Sequence, residues 1–473
     1  MYERKPSKVR GSWKQTKRSV SSLVALLAGF ACATHPVMAA AGERPETGSG
    51  TAPTPPMGFN PYNAFAVDAT EDQMMAIARK LVDSGLAAKG YRYVNIDDGW
   101  WLKRRAGGKL EVNTKAFPSA DIGNGQTSFL PYVTRLHAMG LKAGIYTDIG
   151  RNACSQAWRA GDPNLPVGTV AEREIGSMDH QAADMRQIFG EWKFDFIKID
   201  ACGVADFEPT KANVKDGQFR ALGPWMVRGR PSSPDDAKVE QLYATLNKDI
   251  EQVRPKRDYV LSICNWGEAG VAAWGQRHGN SWRTSGDINA SWTSMLANFD
   301  TAAANPEAAG PNHWNDPDML EIGNGEFDAD HLVEAKAQMS MWAIISAPLL
   351  LGSDITHWPQ SLFDVAGNSE VIAIDQDPAG HQGVIISKAD EAEILVKRLA
   401  KADTRAVALI NRSSKPISLS VSLAQLGLPS GATTMVRNLW SDEEHRQSSD
   451  MVSASLAPHE TALLRVSLAQ SPN

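Results

Sequence analysis

The apolar positions of this chain switch repeatedly between the two-residue spacing of a strand and the three-to-four-residue spacing of a helix. Thr70-Glu-Asp-Gln73 is a capping box that opens a helix with Met74, Ile77, Ala78, Leu81 and Val82 on one face, stopped by Gly85. Tyr91–Ile96 then reads as a strand that ends in Asp97-Asp98. The alternation continues with a helix at Leu130–Met139, closed by Gly140, and a strand at Leu141–Tyr146 that runs toward Asp148. A helix around His180–Phe189 precedes the strand Phe194–Asp200, and a helix at Lys238–Val253 precedes the strand Tyr259–Cys264. Short strands follow at Trp282–Asp287 and His313–Asp318. A long helix from about Ala329 leads into the apolar run Ile344–Leu351.

Strands alternating with helices imply a parallel sheet. Polar residues recur where each strand finishes: Asp97, Asp98, Asp148, Asp200, Asn265, Asp287, Asp316 and Asp318. A closed (β/α)₈ barrel would gather all of them at one mouth, whereas an open doubly wound sheet would concentrate them at one switch point. No G-x-G-x-x-G follows the first strand, which favours the TIM barrel. After about Gln382 the spacing becomes that of strands alone, at Ile394–Leu399, Arg405–Ile410, Ile417–Leu423, Met435–Leu439 and Ala462–Val466. The expected fold is therefore an α/β barrel followed by an antiparallel β-sandwich packed on its flank. The boundaries read as a leader at 1–39, a Gly/Thr/Pro-rich lead-in at 40–54, a barrel at 55–380 and a sandwich at 383–470. Gly203–Ala237 breaks the rhythm with a long Gly/Pro/charged segment; loops of that length are functional or disordered, and this one should overhang the barrel mouth.

Composition narrows the function classes. A net charge of −6 over 473 residues forms no basic stripe, which argues against nucleic acid as a partner. Fourteen Trp, several beside acidic residues, suit a sugar site, since C–H faces stack on rings while hydroxyls need charged acceptors; they suit a core equally well. The N-terminus reads as an export signal: Lys5, Lys8, Arg10, Lys14, Lys17 and Arg18 precede a mostly apolar Ser19–Ala33, with small residues at Ala39-Ala40-Ala41. That run is too short to span a bilayer, and Gly29-Phe30-Ala31 before Cys32 lacks the leucine of a lipoprotein signal. An exported chain, periplasmic or secreted and free of the membrane after cleavage, would keep Cys154, Cys202 and Cys264, enough for one disulfide.

The strand Phe194-Asp-Phe-Ile-Lys-Ile-Asp200 carries the most telling chemistry. Lys198 and Asp200 are two apart and share a face, so the ammonium should keep the carboxylate ionised, as a nucleophile needs. A salt bridge closing a barrel strand would use the same pair. Two carboxylates on different strands of one mouth suit glycosidic bond cleavage, the second one protonated at rest. Asp287, with Trp282 and Trp292 close in sequence, is one partner; on chemistry alone Asp316 and Asp318 are equally eligible.

From Pro55 to Val466 the chain resembles glycoside hydrolase family 27, which contains the α-galactosidases and α-N-acetylgalactosaminidases. Six motifs occur in order: Pro56-Met-Gly-Phe-Asn60, Tyr93-Val-Asn-Ile-Asp-Asp-Gly-Trp100, Ala143-Gly-Ile-Tyr-Thr-Asp148, Lys198-Ile-Asp-Ala-Cys202, Ser281-Trp-Arg-Thr-Ser-Gly-Asp-Ile288 and Asn312-His-Trp-Asn-Asp-Pro-Asp-Met-Leu320. The resemblance implies a retaining mechanism with Asp200 as nucleophile and Asp287 as acid/base. It implies Asp97 and Asp98 as acceptors for the 4- and 6-hydroxyls of the sugar and Lys198 as a donor. Tyr146 and Arg283 should reach ring hydroxyls, Tyr62 should stack on the sugar, Met319 should form an apolar patch, and Cys154 should pair with Cys202. Asn265 stands where the family often has a glutamate that contacts the 2-position, and Phe59 and Tyr62 replace two family tryptophans. The implied activity is removal of terminal α-linked galactose from a carbohydrate substrate, with no cofactor and no metal. Weighed against it are the same mechanism on N-acetylgalactosamine, β-L-arabinopyranose or an isomaltose-type glucan, a non-catalytic carbohydrate-binding barrel, and a metal-dependent hydrolase, for which no H-x-x-x-H pair exists.

Overall fold

The computed structural model describes residues 52–159, 161–230 and 232–469. The proposed leader, its cleavage point and nearly all of the lead-in lie outside the described residues. Eight short parallel strands form one sheet: β1 (Met57–Phe59), β2 (Tyr93–Asn95), β3 (Lys142–Asp148), β4 (Phe196–Asp200), β5 (Val260–Cys264), β6 (Ser281–Arg283), β7 (Trp314–Asp316) and β8 (Leu349–Leu351). Their order is β8-β1-β2-β3-β4-β5-β6-β7. Leu320, just beyond β7, pairs in parallel with Leu351 of β8. The Leu320 amide donates to the Leu350 carbonyl at 2.8 Å and the Gly352 amide to the Leu320 carbonyl at 2.9 Å, which closes the ring. The expected TIM barrel is the fold observed.

Strand alternation decides what the barrel holds. Along β4, Ile197 and Ile199 join the apolar layer under the helices, while Phe196, Lys198 and Asp200 take the other face. Phe196 packs with Tyr93, Val260, Trp314 and Ala52 in a separate apolar cluster. One layer higher, Lys198, Ser262, Arg283 and Asp316 surround a small void. The interior therefore climbs from an apolar plug to charged groups as each strand runs toward its C-terminal end. Glu71–Asp83 is a helix with the Thr70/Gln73 capping box in place, and Met74, Ile77, Ala78 and Leu81 buried. Val82, assigned to the same face, is exposed. The strand expected over Trp282–Asp287 ends at Arg283, so Asp287 lies on the following loop, where the backbone turns back toward the mouth.

The C-terminal strands are β9 (Val384–Ala389), β10 (Ala392–Arg398), β11 (Thr404–Asn411), β12 (Ile417–Ser422), β13 (Thr434–Asn438), β14 (Glu444–Gln447), β15 (Met451–Leu456) and β16 (Thr461–Leu468). They pair antiparallel in a six-stranded sheet, β9-β10-β11-β16-β13-β14, and a two-stranded sheet, β12-β15. Ile394, Val396, Val407 and Leu409 face the core between the sheets, where Val421, Val452 and Leu456 meet them. Their neighbours Leu395, Ala406, Ala408 and Ile410 belong to the barrel's own core, and the helix Leu332–Ile344 packs against β11 and β16. The large sheet is thus apolar on both faces. Each fully buried aliphatic side chain contributes about 1.5–3 kcal/mol, which fastens the sandwich to the barrel.

Candidate active site

The C-terminal ends of the barrel strands open into a cavity of about 510 Å³. Tyr62, Asp97, Asp98, Tyr146, Lys198, Asp200, Arg283, Asp287 and Met319 line it, together with both cysteines of a disulfide, Cys154 and Cys202. Of the proposed contacts, Asn265 alone is missing. Its side chain is fully buried, and Nδ2 donates to the Glu268 carbonyl at 2.7 Å, so the short turn after β5 draws the amide away from the cavity. Trp266 takes that place, held at φ +58°. Phe59 is buried behind the wall, so of the two aromatic replacements only Tyr62 meets the cavity.

The acidic pair at the end of β2 is divided between two partners. Asp97 Oδ2 accepts from Asn60 Nδ2 at 2.7 Å and from Lys198 Nζ at 3.0 Å. Asp98 accepts from the amide and the hydroxyl of Ser155 at 2.8 and 2.7 Å. Ser155 follows Cys154, so the disulfide at the head of that short helix also fixes the donor to Asp98. Burial pushes the Asp98 carboxyl up to about 6, against the pull of those two bonds.

The lysine of β4 therefore pairs with Asp97 and not with Asp200, contrary to the expected pairing within the strand. Burial disfavours the Lys198 ammonium, but Asp97, Asp200 and Asp318 around it hold it charged. Among the described residues no cation hydrogen-bonds Asp200; its Oδ1 accepts from the Ala201 amide at 3.0 Å. Burial raises its carboxyl to about 7, with Lys198 opposing and the charge of Asp287 adding to the rise. With Lys198 committed to Asp97, desolvation outweighs the cation and holds the Asp200 carboxyl above its usual range.

The other carboxylates separate by their bonds. Asp318 is locked: it pairs with Arg283 Nη2 at 2.8 Å and accepts from the Ile288 and Met319 amides. Asp316 borders the lower void and not the main cavity. Asp287 makes one 3.2 Å bond, to Arg283 Nη1, and its side chain is 69 % accessible, although the concave wall surrounds it with protein at longer range. Burial opposes its charge, but the fields of Arg283, Lys198 and Arg228 outweigh burial and hold the carboxyl below the usual range.

Sequence reasoning passed over Trp158, Arg228, Trp266, Asn63 and Ile288, which also line the cavity. Arg228 comes from the 203–237 segment, where only overhang was foreseen. It lies 3.4 Å above the Trp266 ring and binds Asp206, while the neighbouring Gly229 amide donates to Glu268 at 2.7 Å. The cluster of Asp148, Cys154 and Cys202 has the proximity of a metal site, but its sulfurs are bonded to each other and offer no thiolate.

A closed barrel with a sandwich on its flank, and carboxylates, cations and aromatic rings around one mouth, defines a carbohydrate-active hydrolase. Family models described as "Alpha galactosidase A" and "Alpha galactosidase C-terminal beta sandwich domain" match residues 54–220 with 258–377, and 389–466. An alpha-galactosidase of Cyamopsis tetragonoloba is 33% identical over 412 residues, 87% of this chain and 85% of that protein. Alpha-galactosidase A of Cellvibrio japonicus is 33% identical over 76% of this chain and 77% of its own length. The solved alpha-galactosidase I of Mortierella vinacea superposes with a TM-score of 0.72 at 25% identity, covering 89% of this chain and 100% of that one. The chain belongs to the α-galactosidase family, glycoside hydrolase family 27.

Proposed function

We propose that the protein is an exported exo-acting hydrolase that removes terminal α-linked galactose with retention of configuration. Asp200 attacks the anomeric carbon and Asp287 protonates the departing oxygen; Asp287 then takes a proton from water, which releases the sugar from Asp200. The observation that carries this reading is that two carboxyls, one at the end of β4 and one on the loop after β6, border one cavity and feel each other's charge. Asp97 and Asp98, adjacent just beyond β2, line the same cavity and offer acceptors to hydroxyls of the same ring.

The resting electrostatics define the order of events. Burial holds Asp200 high and the surrounding cations hold Asp287 low, so the two carboxyls together retain a proton up to about pH 7. Substrate entry displaces water from Asp287, and positive charge growing at the anomeric carbon favours ionised Asp200, so the proton belongs on Asp287 as the bond breaks. The disulfide and the proposed leader support an oxidising, exported setting, and no helix among the described residues is long and apolar enough to cross a membrane. Asp200→Gly should abolish turnover of an aryl α-galactoside, and azide should restore it as β-galactosyl azide. Undiminished turnover by the variant would refute the assignment.

A further inference from the structure

The family match stops at residue 220 and resumes at 258, so Arg228 lies on chain that the family pattern leaves out. That chain is nonetheless built into the barrel mouth. Met226 is buried in the barrel's core, the Trp225 amide donates to the Val204 carbonyl at 2.9 Å, and the Gly229 amide donates to Glu268 Oε1 at 2.7 Å. Between these anchors the Arg228 guanidinium is held on three sides. It lies over the Trp266 ring at 3.4 Å and over the Trp158 ring at 5.5 Å from the centroids. Asp206 Oδ2 accepts from its Nε at 3.2 Å and its Nη2 at 2.9 Å, and Nη2 stands 3.0 Å from Sγ of Cys202, two residues after Asp200. Fixing so long a side chain gives up rotamer freedom that a solvated loop arginine keeps. What the ordering secures is a planar, permanent positive charge bordering the same cavity as Asp200 and Asp287.

We propose that Arg228 is a positioning residue that acts through Asp287: clamped at the mouth, its guanidinium favours the charged carboxylate that activates water in the second half of the reaction. This rests on the galactosidase reading. In that half, water attacks the anomeric carbon and its proton passes to Asp287, while the bond to Asp200 breaks and its electron pair returns to the Asp200 carboxylate. Asp287 has to enter the step ionised. The groups that face it are Arg283 on β6, Lys198 and Asp200 on β4, Cys264 at the end of β5, Asp318 beyond β7, and Arg228. Asp318 is bound to Arg283, and Asp200 carries no charge while it holds the sugar. Of the three cations, Arg228 alone comes from outside the barrel strands, so its segment sets the acid limit of activity separately from them. In the first half Asp287 gives a proton instead, and there a weaker positive field does no harm.

The test reads the two halves separately in full-length wild type, Arg228→Met, Arg228→Gln and Arg228→Lys. 5-Fluoro-α-galactosyl fluoride loads Asp200 as the glycosyl ester, excess reagent is removed, and the rate at which activity recovers is followed against pH. Recovery should fall away below an acid limb set by Asp287. That limb should move upward by about one pH unit in Arg228→Met and Arg228→Gln, since without the cation the carboxylate takes up its proton at a higher pH. Arg228→Lys keeps the charge and should hold the limb near its wild-type position. On methyl α-galactoside, whose poor leaving group needs the proton, kcat/KM of the uncharged variants should match the wild type or exceed it. A limb left in place by Arg228→Met and Arg228→Gln, whatever the loss of rate, would reveal an arginine that merely packs its loop and overturn the proposal. A limb moved as far by Arg228→Lys would overturn it too. Wild type that turns over no α-galactoside would instead refute the galactosidase reading.

Discussion

Two places in this molecule take ionisable groups out of water, and they teach opposite lessons. At the barrel mouth, Asp97, Asp98, Asp200, Asp287, Lys198 and Arg283 border one open cavity. At the seam between barrel and sandwich, Lys397 of β10 is buried and donates to the carbonyls of Ala343 and Ile374 and to Ser346 Oγ. Burial lowers Lys397 to about 8 and raises nearby Asp375 to about 8, the latter displaced further than Asp200 at the mouth. A displaced titration alone therefore does not mark a functional site. What separates the two is where the groups point: at the seam into backbone acceptors, at the mouth into space a substrate can fill.

Substitutions of the two lysines sharpen that contrast. Lys198→Met should cut kcat/KM by about 10²–10³-fold, because it strips Asp97 of its cation and removes a positive field from the reacting pair. It should also move the loss of activity at alkaline pH upward, since Lys198 is the charge that restrains Asp200. Lys397→Ala should leave kinetics untouched yet cost about 2–4 kcal/mol in urea unfolding, through orphaned buried carbonyls and a cavity. A kinetic defect in the second variant would erase the distinction. The smallest effect is in the wild type. Asp200 is raised to about 7, so the shared proton is present below that pH and lost as pH rises through it. The kcat/KM profile should fall by about tenfold per unit above pH 7 and hold to below the usual carboxylate range on the acid side. A profile that rises through pH 7 would contradict it.

Much of the fold was legible because its signals are local. The Thr70 capping box and the recurring strand-then-aspartate pattern need no tertiary knowledge. The strands β9, β14 and β15 escaped notice because their exposed positions blur alternation: Val384 and Met451 are exposed, and β14 is Glu-His-Arg-Gln. The site divides in the same way. Carboxylates at strand ends announce themselves, whereas Arg228 and Trp158 reach the cavity on a loop and a short helix whose course depends on Asp206, Glu268 and a disulfide far off in sequence. The partner of Lys198 was misread since spacing along one strand says nothing of Asp97, two strands away in the sheet. Asn265 was misplaced for a related reason: a left-handed residue at Trp266 redirects the turn.

The central claim, double displacement between Asp200 and Asp287 across one ring, is tested most directly by the configuration of the first-formed product. Proton NMR of a concentrated enzyme digest of an α-galactoside, recorded before mutarotation, should show the α-anomer of galactose appearing first. Initial release of the β-anomer would mean direct attack by water and would contradict the account.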